Sequence, residues 1–151
     1  MATTVISTDL TVTINESYSL NGVDYGNNTV KTFPLKGQVD QRIMNIKLLE
    51  GGVYTTIFNY STADSAGIGV AADYVYFRIT NLDDTNFITF RVHNGTDTFW
   101  IKIKAGESYL MMDNEIDAIN STVFGALADV TQFAAGADTA AVDIEFMAVT
   151  Q

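Results

Sequence analysis

The feature that most constrains this chain is a two-residue alternation of apolar and polar side chains between Tyr74 and Met112. Successive side chains of a strand leave on opposite faces, so an apolar residue at every second position marks a strand with one face in a core. Across residues 74–80, Val75, Phe77 and Ile79 fall on one face, with Tyr74, Tyr76, Arg78 and Thr80 on the other. Beyond Asn81-Leu82-Asp83-Asp84-Thr85, residues 87–93 place Ile88, Phe90 and Val92 together. Asn94-Gly95 then reads as a hairpin turn, because both residues tolerate positive φ. Phe99, Ile101 and Ile103 continue the alternation opposite Trp100, Lys102 and Lys104, and Ala105-Gly106 turns the chain into residues 107–112. Strands joined in sequence by such turns predict a β-meander.

The flanking segments read the same way. Leu10, Val12 and Ile14 share one face of an N-terminal strand. Asn21-Gly22 is a turn, residues 24–28 read as further loop, and a strand runs through Val30 to Leu35. Pro34, the only proline, lacks an N–H for a ladder and belongs at a sheet edge. Residues 42–49 suit two readings, since Met44, Ile46 and Leu48 alternate as in a strand while Ile43, Ile46 and Leu49 fit a short helix. Glu50-Gly51-Gly52 turns into a strand over 53–60. Residues 115–133 read as a loop with one helical turn leading into a short strand, and Ala134-Ala135-Gly136-Ala137 as a tight link of small residues. A last strand sets Val142, Ile144, Phe146 and Ala148 against Asp143, Glu145 and Met147, and no tail is expected after it. With no linker, charge block or repeat, 1–151 is expected to form one all-β domain, a single antiparallel β-sandwich with at most a short helical turn.

Charge narrows the partners. Eight basic residues against eighteen acidic give a net charge of -10, and no Lys/Arg cluster supplies the basic footprint that phosphate binding needs. Nucleic acid and anionic membranes are therefore not expected partners, and no apolar run approaches the length of a bilayer span. The absence of cysteine excludes disulfides and thiolate metal sites. Residues 1–5 lack the pattern of a signal peptide, so the sequons at Asn15, Asn27, Asn59, Asn94 and Asn120 are read as coincidental.

Little in the sequence gathers into a reacting centre. His93, the only histidine, would have to serve as the base of a Ser-His-Asp arrangement, yet nothing brings a serine and an aspartate to it, and it reads as a turn histidine. Asp83-Asp84 is an adjacent carboxylate pair set in a turn composition. Asp113, Glu115 and Asp117 offer hard oxygen ligands without the loop of a calcium site. Gly67-Ile68-Gly69 is too short to cradle a phosphate. The chain is accordingly expected to be neither enzyme nor metalloprotein, and to carry no cofactor. Tyr74, Tyr76 and Trp100, each opposite the aliphatic face of its own strand, are the more useful signal. They fit a second packed layer, a subunit interface or a sugar-stacking platform.

Three phrases carry a resemblance: Tyr76-Phe77-Arg78-Ile79-Thr80-Asn81-Leu82-Asp83-Asp84-Thr85-Asn86-Phe87-Ile88, Ile101-Lys102-Ile103-Lys104-Ala105-Gly106-Glu107-Ser108, and Ala141-Val142-Asp143-Ile144-Glu145-Phe146. Together they resemble small virion structural proteins of tailed bacteriophages. In that group a strand ending in Arg-x-x-Asn-x-Asp leads to a hairpin, an Ala-Gly-Glu turn follows, and a terminal strand closes the domain. The likeness lies mainly in the second half of the chain and marks scaffold positions, so no functional residue set carries over. It implies a jelly-roll sandwich. It also implies a head decoration, or cement, protein that binds the major capsid protein on the virion surface after assembly in the host cytoplasm, often as a homotrimer. Tail and head-fibre components belong to the same group. Residues 1–14 are then either an arm that adds to a neighbour's sheet or an ordinary first strand. Val5 and Leu10 join Tyr74, Tyr76 and Trp100 as interface candidates.

Overall fold

A computed structural model describes residues 8–35, 38–61, 69–117 and 127–151. The alternation becomes a two-sheet sandwich. One sheet has the order β3-β12-β5-β8, made of β3 (Val39–Ile46), β12 (Val142–Thr150), β5 (Tyr74–Asn81) and β8 (Ser108–Met111). The other has the order β4-β11-β6-β7, made of β4 (Thr55–Asn59), β11 (Gln132–Ala137), β6 (Ile88–His93) and β7 (Thr98–Ile103). Every pairing is antiparallel. A long hairpin of β1 (Thr8–Leu20) and β2 (Val23–Leu35) stands apart from both sheets, and β9 (Glu115–Ile116) pairs with β10 (Ala128–Asp129). The single helical element among the described residues is a 3-10 turn at Ala71–Asp73.

This strand order is that of a jelly roll, and it corrects the expected meander. Only β6 and β7 pair as consecutive strands within the sandwich, whereas β5 pairs with β8. The chain crosses between sheets from β5 to β6 and again from β7 to β8, so one hairpin nests inside a wider pair. Asn81 sits where the two crossings meet. Its Nδ2 donates to the carbonyls of Asn86 (2.9 Å) and Ile103 (3.3 Å), and its Oδ1 accepts the Asp83 N–H (3.0 Å). Its main-chain N–H donates to Glu107 O (3.0 Å) and its carbonyl accepts from Gly106 N–H (3.1 Å). The Arg-x-x-Asn-x-Asp and Ala-Gly-Glu phrases are thus one corner of the structure, bonded to each other through a fully buried asparagine.

Aromatic rings fill the space between the sheets. Phe77 of β5 stacks on Phe133 of β11 with centroids 3.9 Å apart, and Phe90 of β6 lies 5.6 Å from each. Phe146 of β12, Tyr60 and Tyr74 extend the cluster. Tyr74 and Tyr76, read as sharing one face of their strand, are separated in the structure. Val149 pairs with Tyr76 but Thr150 with Tyr74, so Val75 is the extra residue of a bulge. That bulge turns Tyr74 into the core beside Phe133 and leaves Val75 on the outer face with Tyr76. Tyr76 is itself buried there, beneath Phe33 of the hairpin.

Other expectations change for equally local reasons. Residues 39–46 settle as strand β3, with Met44 and Ile46 inward. Ala134–Ala137 is the end of central strand β11 rather than a link. Its small residues answer to crowding, since a Cβ added at Gly136 would lie 2.8 Å from Leu49 Cβ. At the β6–β7 turn only Gly95 has positive φ, and Asn94 acts through its side chain, whose Oδ1 accepts the N–H groups of Thr96 and Asp97. Residues 115 and 116 pair as β9, and residues 118–126 lie outside the described residues.

Burial pushes the Tyr60 and Tyr74 phenols far above their ordinary value, so both stay protonated. The two hydroxyls differ in one respect: Tyr74 Oη donates to Met111 O (3.0 Å), whereas Tyr60 Oη is buried without a partner among the described residues. Tyr60→Phe is therefore expected to raise stability by about 1 kcal/mol by removing an unsatisfied polar atom. Tyr74→Phe is expected to lower it by a similar amount. Urea midpoints of the two variants check the opposite signs; a fall for both would sink the assignment.

Candidate functional site

Two surfaces carry side chains that the packing of the chain leaves unused. The first is the hairpin. β1 and β2 pair residue for residue from Thr8↔Leu35 to Leu20↔Val23. Asn21 (φ 52°) and Gly22 (φ 78°) close it as a two-residue turn with both central residues left-handed, the geometry that matches strand twist. Directly paired residues share a face. One face therefore carries Leu10, Val12, Ile14, Glu16, Tyr18 and Leu20 with Val23, Tyr25, Asn27, Thr29, Lys31 and Phe33, while Asp9, Thr11, Thr13, Ser17, Ser19, Asp24 and Val30 lie on the other. At the base, Leu10, Val12, Phe33 and Leu35 close over Tyr76 and Val149 of the first sheet. From residue 15 to residue 32 every side chain is exposed. Past the polar pair Glu16 and Asn27, apolar side chains resume at the tip, where Tyr18 is 59%, Leu20 57%, Val23 52% and Tyr25 46% exposed. The Tyr18 and Tyr25 rings stack there at 5.1 Å. With 13 residues in each strand, the hairpin is about 40 Å long.

The second surface is the outer face of the β4-β11-β6-β7 sheet. None of its four strands contains Asp or Glu, in a chain of net charge -10. Trp100 is half-exposed on β7, directly opposite Arg91 of β6. The Arg91 guanidinium lies 5.8 Å from the Trp100 ring, and the Tyr54 ring approaches Trp100 to 4.7 Å. Arg91 donates from one terminal nitrogen to Gln132 Oε1 (3.1 Å), and its Nε is buried without a partner among the described residues. Lys47, Glu50, Tyr54 and Thr55 line an open groove of about 450 Å³ that begins at Tyr54.

The interface candidates separate on these surfaces. Trp100 is exposed, with Tyr54 and Arg91 beside it. Tyr74 and Tyr76 are buried. Leu10 is half-buried against its own chain, in a strand paired with β2, and Val5 lies outside the described residues. Sequence reasoning missed Tyr18, Leu20, Val23 and Tyr25. A usable signal was present: a two-residue turn pairs the positions on either side of it, so Asn21-Gly22 sets Leu20 on Val23 and Tyr18 on Tyr25.

The remaining candidates serve local structure. His93 Nδ1 lies 2.8 Å from both Asp97 O and Thr98 Oγ1, which ties it into the β6–β7 turn. Asp83 accepts the N–H groups of Asn86 (2.6 Å) and Thr85 (2.8 Å), and these bonds hold its carboxyl below the ordinary range. Asp113 accepts the Glu115 N–H, and Asn114 donates to Asp129. Among the described residues, no three of His, Cys, Asp and Glu come together as a metal site. Of Gly67-Ile68-Gly69, only Gly69 is among the described residues. Comparison with protein families, with curated proteins and with solved structures finds no match for this chain.

Proposed function

We propose that this chain is a structural subunit of a tailed-phage particle: a decoration protein that binds the major capsid protein outside the head and assembles with copies of itself as a trimer. The observation that carries the assembly role is the hairpin, whose tip runs beyond the sandwich with Tyr18, Leu20, Val23 and Tyr25 exposed among the described residues. An exposed apolar stripe of this kind is what a surface intended for another protein looks like. The phage setting comes from the resemblance of the Asn81 corner and the closing strand. Mixing the purified protein with heads that lack it tests the reading by co-sedimentation. Saturable binding to heads is expected. Binding to tails alone would move the protein to the tail, and binding to neither would overturn the proposal.

A second reading rests on the Trp100 face, where a half-exposed indole with a tyrosine beside it offers a stacking surface to a saccharide. Trp100 is the only tryptophan, so its emission reports on this face alone. If glycans bind here, a glycan array gives a hit whose titration shifts that emission. Trp100→Ala is then expected to abolish binding while changing stability by no more than about 0.5 kcal/mol, as for other exposed positions. An array without signal above background removes this reading.

A further inference from the structure

We propose that Asn21 is a site of spontaneous deamidation, converting in the folded protein to aspartate and isoaspartate, while the same step at Asn94 is held closed by its hydrogen bonds. The inference goes beyond the assembly reading and does not depend on it. Asparagine side chains are chemically labile, and most so before glycine, whose main-chain nitrogen has no neighbouring Cβ to shield it. Asn-Gly occurs twice in this chain, at Asn21-Gly22 and Asn94-Gly95, each in a turn between paired strands. At the first, the Gly22 nitrogen forms a bond to Asn21 Cγ and the Cγ–Nδ2 bond breaks. Nδ2 leaves as ammonia, carrying the proton that the Gly22 nitrogen gives up. Water then opens the five-membered imide at either carbonyl. One opening gives aspartate. The other gives isoaspartate, in which the main chain runs through the side-chain carbon and gains one atom.

The step needs an amide free to swing, room for the ring, and water. Asn21 has all three. It is exposed, its side chain makes no hydrogen bond among the described residues, and Gly22 N–H takes no main-chain partner there. A Cβ added to Gly22 would meet nothing within 4 Å, so the imide has open space around it. Ring closure also requires Asn21 to rotate out of its left-handed conformation (φ 52°). The tip can rotate, because a two-stranded ribbon with every side chain from 15 to 32 exposed opens at little cost. Asn94 differs on each count. It is 8% exposed, its Oδ1 accepts the N–H groups of Thr96 (3.0 Å) and Asp97 (2.6 Å), and its Nδ2 donates to Ile116 O (3.0 Å). Swinging this amide towards Gly95 breaks those bonds in a buried place, so Asn94 should convert at least about tenfold more slowly than Asn21.

The purified full chain, incubated in warm, mildly alkaline buffer and sampled over time, tests this by peptide mapping with mass spectrometry. The mass gain of an amide becoming an acid is expected at residue 21, split between two chromatographically distinct peptides, aspartate and isoaspartate. The peptide that holds Asn94 should stay unchanged over the same period. A parallel sample in concentrated urea supplies the unfolded reference, in which both sites keep their Asn-Gly chemistry and lose their structure. There the two should convert at similar rates. Selectivity for Asn21 that vanishes in urea supports the inference, because only the fold separates the two sites. Asn94 converting as fast as Asn21 in the folded protein would overturn it. So would a folded Asn21 that stays intact while the urea sample converts, since the tip would then be closed to the reaction.

Discussion

Phe133→Ala is expected to destabilise the fold by roughly 3–5 kcal/mol, the range for truncating a buried aromatic ring. Phe133 is fully buried on β11, a central strand, and its ring is the hub of the core. It stacks on Phe77 at 3.9 Å and lies 5.6–5.8 Å from Phe90, Tyr60 and Tyr74. Phe77 and Tyr74 belong to one sheet and Phe90 and Phe133 to the other, so the ring joins the two layers rather than neighbours within one. Removing it loses contacts in both layers, and the surrounding strands cannot collapse inward without breaking their ladders. A domain of ordinary stability has about 5–15 kcal/mol in total, so the variant would sit close to unfolding. Phe133→Leu should recover part of the loss by refilling volume without the stacking. Equilibrium urea denaturation checks both, and a loss below about 1 kcal/mol for the alanine variant would mean that Phe133 is not the hub.

How much of this was legible beforehand follows from what a period-two pattern encodes. It says which side chains share a face. On β12 that was enough: Val142, Ile144, Phe146 and Ala148 all enter the core, as their alternation requires. The same held for Ile88, Phe90 and Val92 on β6. The pattern does not say which strand lies next door, so a jelly roll and a meander have the same alternation along β5 to β8. The information that separates them is in the Asn81 side chain, which binds carbonyls on two crossings and carries no hydrophobic signature. Tyr74 was misplaced because one bulged residue, Val75, breaks the count for everything before it. Ala134–Ala137 resembled a link because small residues are read as flexible, whereas here they make room for Leu49 on one face and the ring cluster on the other. Recognition of the Asn21-Gly22 turn without extending its pairing outward hid the tip of the hairpin, where Tyr18, Leu20, Val23 and Tyr25 are exposed.

Asn81 is where a single polar substitution should do the most harm. In Asn81→Leu the Asn86 and Ile103 carbonyls and the Asp83 N–H all lose their side-chain partner. At about 1–3 kcal/mol for each buried group left unmatched, a loss of roughly 3 kcal/mol is expected. Asn81→Asp is the sharper test, because it keeps the shape and changes only the chemistry. A carboxylate in place of the amide would aim negative oxygen at two carbonyl oxygens from a fully buried position. Burial and those carbonyls both disfavour the charged form, so the folded-state pKa of the new aspartate lies above its unfolded value of about 3.9. The protonated acid can donate to one carbonyl and costs little. The penalty is therefore small below the unfolded pKa, grows as pH rises through the interval between the two values, and is constant above the folded one. Wild type has no such group at this site, so the difference in urea midpoint between wild type and Asn81→Asp should widen steadily from acid towards neutral pH. A difference that stays flat with pH would show that the Asn81 amide does not face those carbonyls, and the jelly-roll corner would then have to be held by its backbone bonds alone.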